Sequence, residues 1–272
     1  MFKIVKILIT FQSLTPKSLK MNPYVNWKLL KSGVAEIEFY HPSHNCMPSD
    51  LLGELATTIA SCGENPQVEV IVLRSGGDRT FCAGASFDEL IAIKSLDEGK
   101  AFFSGFANVI NACRKCPKLI IGRVQGKAVG GGVGLAAAVD YCYATKFAAI
   151  RLSELNIGIG PFVIEPAVSR KLGAQYVAQM TYNPSEGKSA EWAQVHGLYA
   201  QVFETAEEMD AVMMAHAEQL AKTNPAARTA LKKVFWAGTD HWDELLAERA
   251  AKSGELVLSE FTKQALAKYR KD

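Results

Sequence analysis

Two segments rich in glycine and alanine could present backbone N–H groups to a negatively charged ligand. GKAVGGGVGLAAAVD spans residues 126–140, and FCAGAS spans residues 81–86. Each follows an apolar stretch and precedes a helical pattern, so unpaired amides would lie at the positive end of a helix dipole. Small residues also allow a ligand to approach the backbone closely. Together the segments predict two amides that bind one carbonyl oxygen, each contributing about 3 kcal/mol of transition-state stabilisation.

One carboxylate of interest is Glu154, in the segment LSELNIG. Its apolar and glycine-rich surroundings favour the wall of a pocket over the alternative interpretations of a surface acid or a helix cap. Glu165 is a second candidate, although its position beside Pro166 is more typical of a solvated carboxylate at a helix start. The five histidines are dispersed among polar or turn residues, and we assign none of them to catalysis.

Three other glycine motifs and a cysteine motif fit less well. GRVQGKA lacks the spacing and the Ser or Thr of a phosphate-binding P-loop, and no GxSxG nucleophile motif occurs. Gly132, Gly134 and Ala137 match a dinucleotide fingerprint, but seven residues separate Gly132 from the strand ending at Val124, whereas the fingerprint follows its strand directly. Tight helix–sheet packing is the alternative role for these glycines. The single CRKC motif lacks companion ligands for zinc, so we interpret it as structural.

The elements that would position these residues change in character along the chain. Strands alternate with helices in the first half, which predicts an α/β fold with a largely parallel, covered sheet. The strands are expected at 34–40, 68–75, 118–124, 141–143 and 149–151, with helices starting near 49 and over 100–114. The second half is helical over 162–172, 174–182, 206–222, 225–237 and 242–269, and no Pro/Gly/Ser-rich linker separates the two halves.

Composition limits the class of protein. The 272 residues are 49% hydrophobic and 21% charged, and the formal net charge of +2 is too close to neutral to indicate nucleic-acid binding. The chain contains no apolar run long enough to span a bilayer. Residues 1–20 form a basic leader with only weak targeting features. Six scattered cysteines in apolar context indicate reduced thiols and predict a cytoplasmic location.

Three ordered motifs resemble the crotonase family of enoyl-CoA hydratases and isomerases. They are VIVLRSGGDRTFCAGASFDEL, RVQGKAVGGGVGLAAAVDY and IRLSELNIGIGP, and the resemblance extends from about Trp27 to the C-terminus. It implies a spiral of ββα units over residues 21–200, followed by a C-terminal helical trimerisation region over 201–272. It also implies trimers or hexamers that bind acyl-CoA thioesters, with no metal and no cofactor apart from the coenzyme A of the substrate.

The resemblance assigns roles to individual residues. It implies that the backbone amides of Ala85 and Gly131 bind the thioester oxygen and that Glu154 is catalytic. Ala83 and its neighbours would face the adenine end of coenzyme A. Tyr269, near the C-terminus, would reach coenzyme A, in relatives often from a neighbouring subunit. The walls of the acyl pocket would come from residues 91–106 and from the C-terminal helices.

One residue departs from the family pattern. Hydratases of this family commonly use two glutamates, and Gly134 stands where the first is expected. Members resembling bacterial methylglutaconyl-CoA hydratases share this glycine and the S-E-x-x-I-G-x-x-P pattern, so hydration of a branched or carboxylated 2-enoyl-CoA is our first hypothesis. A double-bond isomerase that uses a single glutamate as its base is one alternative. A crotonase-fold protein that binds acyl-CoA without turning it over is the other.

Overall fold

The computed structural model describes residues 22–268, so the predicted leader and Tyr269 lie outside the described residues. Within this range nine strands form two sheets. The strands are β1 (Tyr24–Leu29), β2 (Val34–Tyr40), β3 (Val70–Ser75), β4 (Thr80–Cys82), β5 (Leu119–Val124), β6 (Lys127–Val129), β7 (Tyr141–Thr145), β8 (Ile150–Arg151) and β9 (Gln201–Phe203).

The strands are distributed between the sheets in a repeating way. The larger sheet has the order β1-β2-β3-β5-β7-β9, and the smaller sheet has the order β4-β6-β8. All pairs are parallel except β1 with β2. The first strand of each successive pair (β3, β5, β7) joins the larger sheet and the second (β4, β6, β8) joins the smaller one. This is the winding that the predicted ββα spiral requires.

Helices cover the sheets and form the C-terminal part of the chain. They are α1 (Ser49–Glu64), α2 (Phe87–Ala92), α3 (Leu96–Lys115), α4 (Gly131–Ala138), α5 (Glu165–Leu172), α6 (Ala174–Tyr182), α7 (Ala190–Val195), α8 (Ala206–Ala221), α9 (Pro225–Phe235), α10 (Trp242–Val257) and α11 (Glu260–Ala267). No helix of the described region is both long and apolar enough to cross a membrane.

Strands β1, β4 and β6 and helix α7 were not predicted. Two further differences lie in the C-terminal part. The strand β9 pairs with β7 at the edge of the larger sheet, at the start of the region expected to be helical. The single helix expected over 242–269 is divided into α10 and α11. The division follows from Ser259, whose side chain accepts a hydrogen bond from the amide of Thr262 and so caps a new helix.

A contact between glycines fixes α3 against α10. A Cβ added to Gly99 would lie only 2.7 Å from the Cα of Gly254, so the two helix backbones touch. Since α3 also carries Phe102 and Phe106, this contact helps to set the position of two aromatic rings that line the cavity described below.

Candidate active site

A cavity of about 300 Å³ lies where the loop after β4, the start of α4 and the turn after β8 meet. Ala83, Ala85, Gly131 and Glu154, four of the five predicted site residues, line it. The fifth, Tyr269, lies outside the described residues. Ala83 and Ala85 come from the loop after β4, and Gly131 comes from the start of α4. The fold therefore brings together both small-residue segments and the acid Glu154.

Ala85 is held in place by hydrogen bonds between its neighbours and Met47. The amide of Met47 donates to the carbonyl of Gly84 at 2.8 Å, and the amide of Ser86 donates to the carbonyl of Met47 at 3.2 Å. Gly84 has a φ of +94°, a left-handed conformation that favours glycine. Ser86 then caps α2, with its side chain accepting from the amide of Glu89. The backbone path of this loop is therefore fixed on both sides of Ala85.

The second loop ends at the predicted helix start, because α4 begins at Gly131. Gly130 precedes it with a φ of +53°, and its amide donates to the carbonyl of Arg151 at 2.9 Å. A Cβ added to Gly131 would lie 2.3 Å from the ring of Phe106. Glycine is required at position 131 because the aromatic wall of the cavity packs directly against its backbone.

The amides of Ala85 and Gly131 are free to bind a ligand. Neither donates a hydrogen bond to any acceptor among residues 22–268, whereas the adjacent amides of Gly84 and Gly130 are both used. A Cβ added to Gly84 would lie 3.6 Å from the amide nitrogen of Gly131, so the two loops are in contact at this point. Two unsatisfied donors on one cavity wall are the arrangement needed to stabilise a developing oxyanion.

Glu154 is the first residue of a short 3-10 helix, Glu154–Ile157, directly after β8. Gly158 ends this helix in a left-handed conformation, and a Cβ there would lie 2.5 Å from both Phe261 and Thr262, so α11 packs closely against the turn. The carboxylate points back toward α4. A Cβ added to Gly130 would lie 3.0 Å from Glu154 Oε1.

The carboxylate of Glu154 is suited to proton transfer at neutral pH. Its Oε2 atom is buried and has no hydrogen-bond partner in the described part of the chain. Burial raises the pKa of Glu154 to about 7, against the opposing effects of the backbone amides of Glu154 and Ser153 and of the charge on Arg151. Both protonation states are therefore populated near pH 7, so one carboxyl group can accept a proton and later return it.

The position of the missing glutamate is filled by an apolar side chain. A Cβ added to Gly134 would lie 2.4 Å from Ile164 Cγ2, so there is no room for a side chain at residue 134. The other candidate acid, Glu165, does not line the cavity; it forms an ion pair with Arg249 and accepts a hydrogen bond from Ser169. Among the described residues, Glu154 is the only acid in the cavity wall.

The structure also explains the glycines of the apparent dinucleotide motif. The argument that Gly132 lies too far from the strand ending at Val124 was wrong. A further strand, β6, lies between Val124 and Gly132 and ends at Val129, just before the glycines. The glycines are nevertheless occupied by packing. A Cβ on Gly132 would lie 2.3 Å from the carbonyl oxygen of Cys82, and Gly134 contacts Ile164 as described. This confirms the packing role that the sequence offered as the alternative.

The remaining cysteine and metal motifs show no site. Cys113 and Cys116 are both buried, and burial raises the pKa of the Cys113 thiol to about 12. Such a thiol is unreactive at neutral pH. No group of three or more histidine, cysteine or acidic side chains within residues 22–268 is arranged to hold a metal ion.

Some residues of the cavity wall were not singled out from the sequence. Phe102, Phe103 and Phe106 lie within the segment expected to form the acyl pocket, but the cation Arg151 and the blocking residue Ile164 were not anticipated. The unusual basic residue three positions before Glu154 was the available signal for Arg151. Nothing in the sequence alone indicates that Ile164 reaches Gly134.

Comparisons with known proteins identify the family of this chain. The family model described as enoyl-CoA hydratase/isomerase matches residues 30–268. The bacillaene synthase dehydratase PksH of Bacillus subtilis is 29% identical over 217 residues, covering 78% of this chain and 80% of the relative. A peroxisomal Delta(3,5)-Delta(2,4)-dienoyl-CoA isomerase of Arabidopsis thaliana is 27% identical over 222 residues, covering 75% and 77%.

A solved structure supports the fold. The enoyl-CoA hydratase of Bacillus halodurans superposes with a TM-score of 0.84 at 18% identity, covering 90% of this chain and 99% of that one. The chain therefore belongs to the enoyl-CoA hydratase/isomerase family, the crotonase family that its motifs resemble. It is an enzyme of that family with the crotonase fold, and the family-level resemblance is confirmed.

Proposed function

We propose that this enzyme adds water across the double bond of a 2-enoyl-CoA. The observation that carries the proposal is the buried, unpartnered Oε2 of Glu154 beside a cavity wall with two free backbone amides. A burial-raised pKa of about 7 supports a carboxyl group that serves as base and then as acid. The amides of Ala85 and Gly131 bind the thioester oxygen and stabilise the enolate.

The reaction balances with this one carboxylate. Glu154 accepts a proton from water as the water oxygen bonds to C3, and the electrons of the C2–C3 double bond move onto the thioester oxygen as an enolate. The enolate then collapses, and C2 takes the proton back from Glu154. Each proton removed is returned, so no second acid and no cofactor beyond the coenzyme A of the substrate is required.

Double-bond isomerisation is the second candidate, and it is favoured because the described residues place no other acid in the cavity wall. In that reaction Glu154 removes a proton from one carbon of a 3-enoyl-CoA and returns it to another through the same enolate. Relatives carry both kinds of name, since PksH is a dehydratase and the Arabidopsis relative is an isomerase. The predicted preference for a branched or carboxylated acyl group, as in methylglutaconyl-CoA hydratases, belongs to the same proposal.

The two reactions are separated by following the absorbance of the conjugated thioester. We expect the purified enzyme to decrease this absorbance with a 2-enoyl-CoA, as water adds. An increase with a 3-enoyl-CoA, and no loss with the 2-enoyl-CoA, would instead establish the isomerase. Glu154→Gln should lose at least about a hundredfold in kcat, in line with loss of a general base. Turnover unaffected by Glu154→Gln would leave only a binding role.

Assembly into a trimer or hexamer, a contribution of Tyr269 to coenzyme A binding and a cytoplasmic location stay predictions. The large apolar side chains exposed on α9 (Leu231, Val234 and Phe235) are compatible with a subunit interface. Sedimentation of the purified full-length chain measures the assembly directly, and a monomer at micromolar concentration would contradict it.

A further inference from the structure

Arg151 has an unusual environment among the arginines of this protein. Among the described residues, three arginines have a side-chain nitrogen that is buried without a hydrogen bond: Arg74, Arg114 and Arg151. Arg74 and Arg114 lie in ion pairs with Glu38 and Asp243. Arg151 forms no ion pair with any residue in the described range. A partly buried cation without an anion is costly, which indicates that a ligand supplies the counter-charge.

The position of Arg151 points to the substrate cavity. Arg151 lines the cavity, and it is the only cationic side chain of its wall within residues 22–268. Most of the other described residues of the wall are apolar, and Glu154 is the one acid among them. Glu154 and Arg151 form no ion pair, and the charge on Arg151 is a minor influence on the pKa of Glu154 beside the larger effect of burial. An anion that enters the cavity could therefore pair with the guanidinium of Arg151.

We propose that Arg151 binds a carboxylate on the acyl group, so that the preferred substrates are short dicarboxylic enoyl-CoA thioesters. This inference rests on the proposed function, since it assumes that an acyl-CoA occupies the cavity. The guanidinium presents paired donors that match a carboxylate in geometry and charge. It selects a substrate and takes no part in the proton transfers.

The backbone around Arg151 limits the length of the acyl chain. The carbonyl of Arg151 accepts the hydrogen bond from Gly130, the residue before the proposed oxyanion donor Gly131. In this proposal the thioester binds at Gly131 and the carboxylate binds at the guanidinium of Arg151. The distance between the two ends of the acyl chain is then no more than about the length of an arginine side chain. A five-carbon diacid spans about this distance, whereas a long diacid would pass beyond Arg151.

Binding of saturated thioesters tests the inference without relying on turnover. Glutaryl-CoA has five acyl carbons and a terminal carboxylate, and hexanoyl-CoA has six acyl carbons, so the two chains are similar in length and differ in the terminal charge. We expect Arg151→Met to weaken glutaryl-CoA binding by about tenfold or more and to leave hexanoyl-CoA binding within about twofold. Arg151→Lys should recover part of the loss. Arg79→Met is the matched control. Arg79 is exposed and lies outside the cavity wall, and its substitution removes the same charge.

The outcomes separate this inference from the proposed function. Equal weakening of both thioesters by Arg151→Met would assign Arg151 to the phosphates of coenzyme A and overturn the inference. An unchanged affinity of Arg151→Met for glutaryl-CoA would also overturn the inference. That result would leave the proposed hydration of simple enoyl-CoA substrates standing. If the selective loss is seen but neither glutaconyl-CoA nor trans-2-hexenoyl-CoA is hydrated, the carboxylate site stands and the proposed hydratase fails. Unchanged hexanoyl-CoA binding shows that the variant cavity is intact.

Discussion

Replacing Glu154 by glutamine should make the protein more stable while it removes the activity. Glutamine has the shape of a protonated glutamate and carries no charge to bury. The folded protein raises the pKa of Glu154 from its ordinary value of 4.5 to about 7, chiefly through burial. Since one pKa unit corresponds to about 1.4 kcal/mol, the ionised carboxylate destabilises the fold by at most about 3–4 kcal/mol. Exposure of part of the side chain to the cavity reduces this to about 1–3 kcal/mol.

The sign of the pH dependence follows from proton binding. Between pH 4.5 and about 7 the folded state holds a proton on Glu154 that the unfolded state has lost. The free energy of unfolding therefore decreases as the pH rises through this window. Glu154→Gln lacks that decrease. Its stability advantage should be near zero at pH 4.5, grow up to about pH 7 and stay constant above it.

Urea denaturation of the wild type and Glu154→Gln at several values from pH 4.5 to 9 measures this difference. Glu165→Gln is the matched control, because Glu165 pairs with Arg249 away from the cavity. This control should lose rather than gain stability, and it should retain turnover. In the wild type, kcat/KM should fall on the acid side with an apparent pKa near 7. A stability advantage for Glu154→Gln that is absent at pH 8, or larger at pH 5 than at pH 8, would refute the reasoning.

Three further changes test the packing of the site. Gly131→Ala places a Cβ 2.3 Å from the ring of Phe106, so kcat/KM should fall at least about tenfold as the amide moves; unchanged kinetics would exclude this amide as a donor. Gly134→Ala places a Cβ 2.4 Å from Ile164 and should lower the free energy of unfolding by about 1–3 kcal/mol, with Ile164→Ala restoring part of it; denaturation that shows no loss would contradict the contact. Cys46 is half-buried while the other five thiols are buried, so a thiol reagent should modify at most one cysteine before unfolding, and two rapid modifications would disagree with the structure.

The sequence alone determined the local features of the site. Glycines with small neighbours after apolar strands predicted two exposed amides, and the structure confirms the helix start at Gly131. The alternation of strands and helices was also readable, because hydrophobic periodicity and helix-start signals depend on residues close together in the chain. The ββα order and the role of Glu154 came from the family resemblance. The six-residue apolar strand β3 and the helix α6 were predicted almost to the residue for the same reason.

Only the tertiary structure decided what those features can do. Ile164 and Gly134 are thirty residues apart, and their contact, which excludes a second acid, depends on how α5 packs against α4. The raised pKa of Glu154 and the missing partner of Arg151 likewise depend on burial by elements distant in the chain. The three-residue strand β9 carries too few residues for any pattern and exists because β7 offers an open sheet edge. Desolvation and close packing are properties of surroundings assembled in three dimensions, which a pattern of neighbouring residues does not contain.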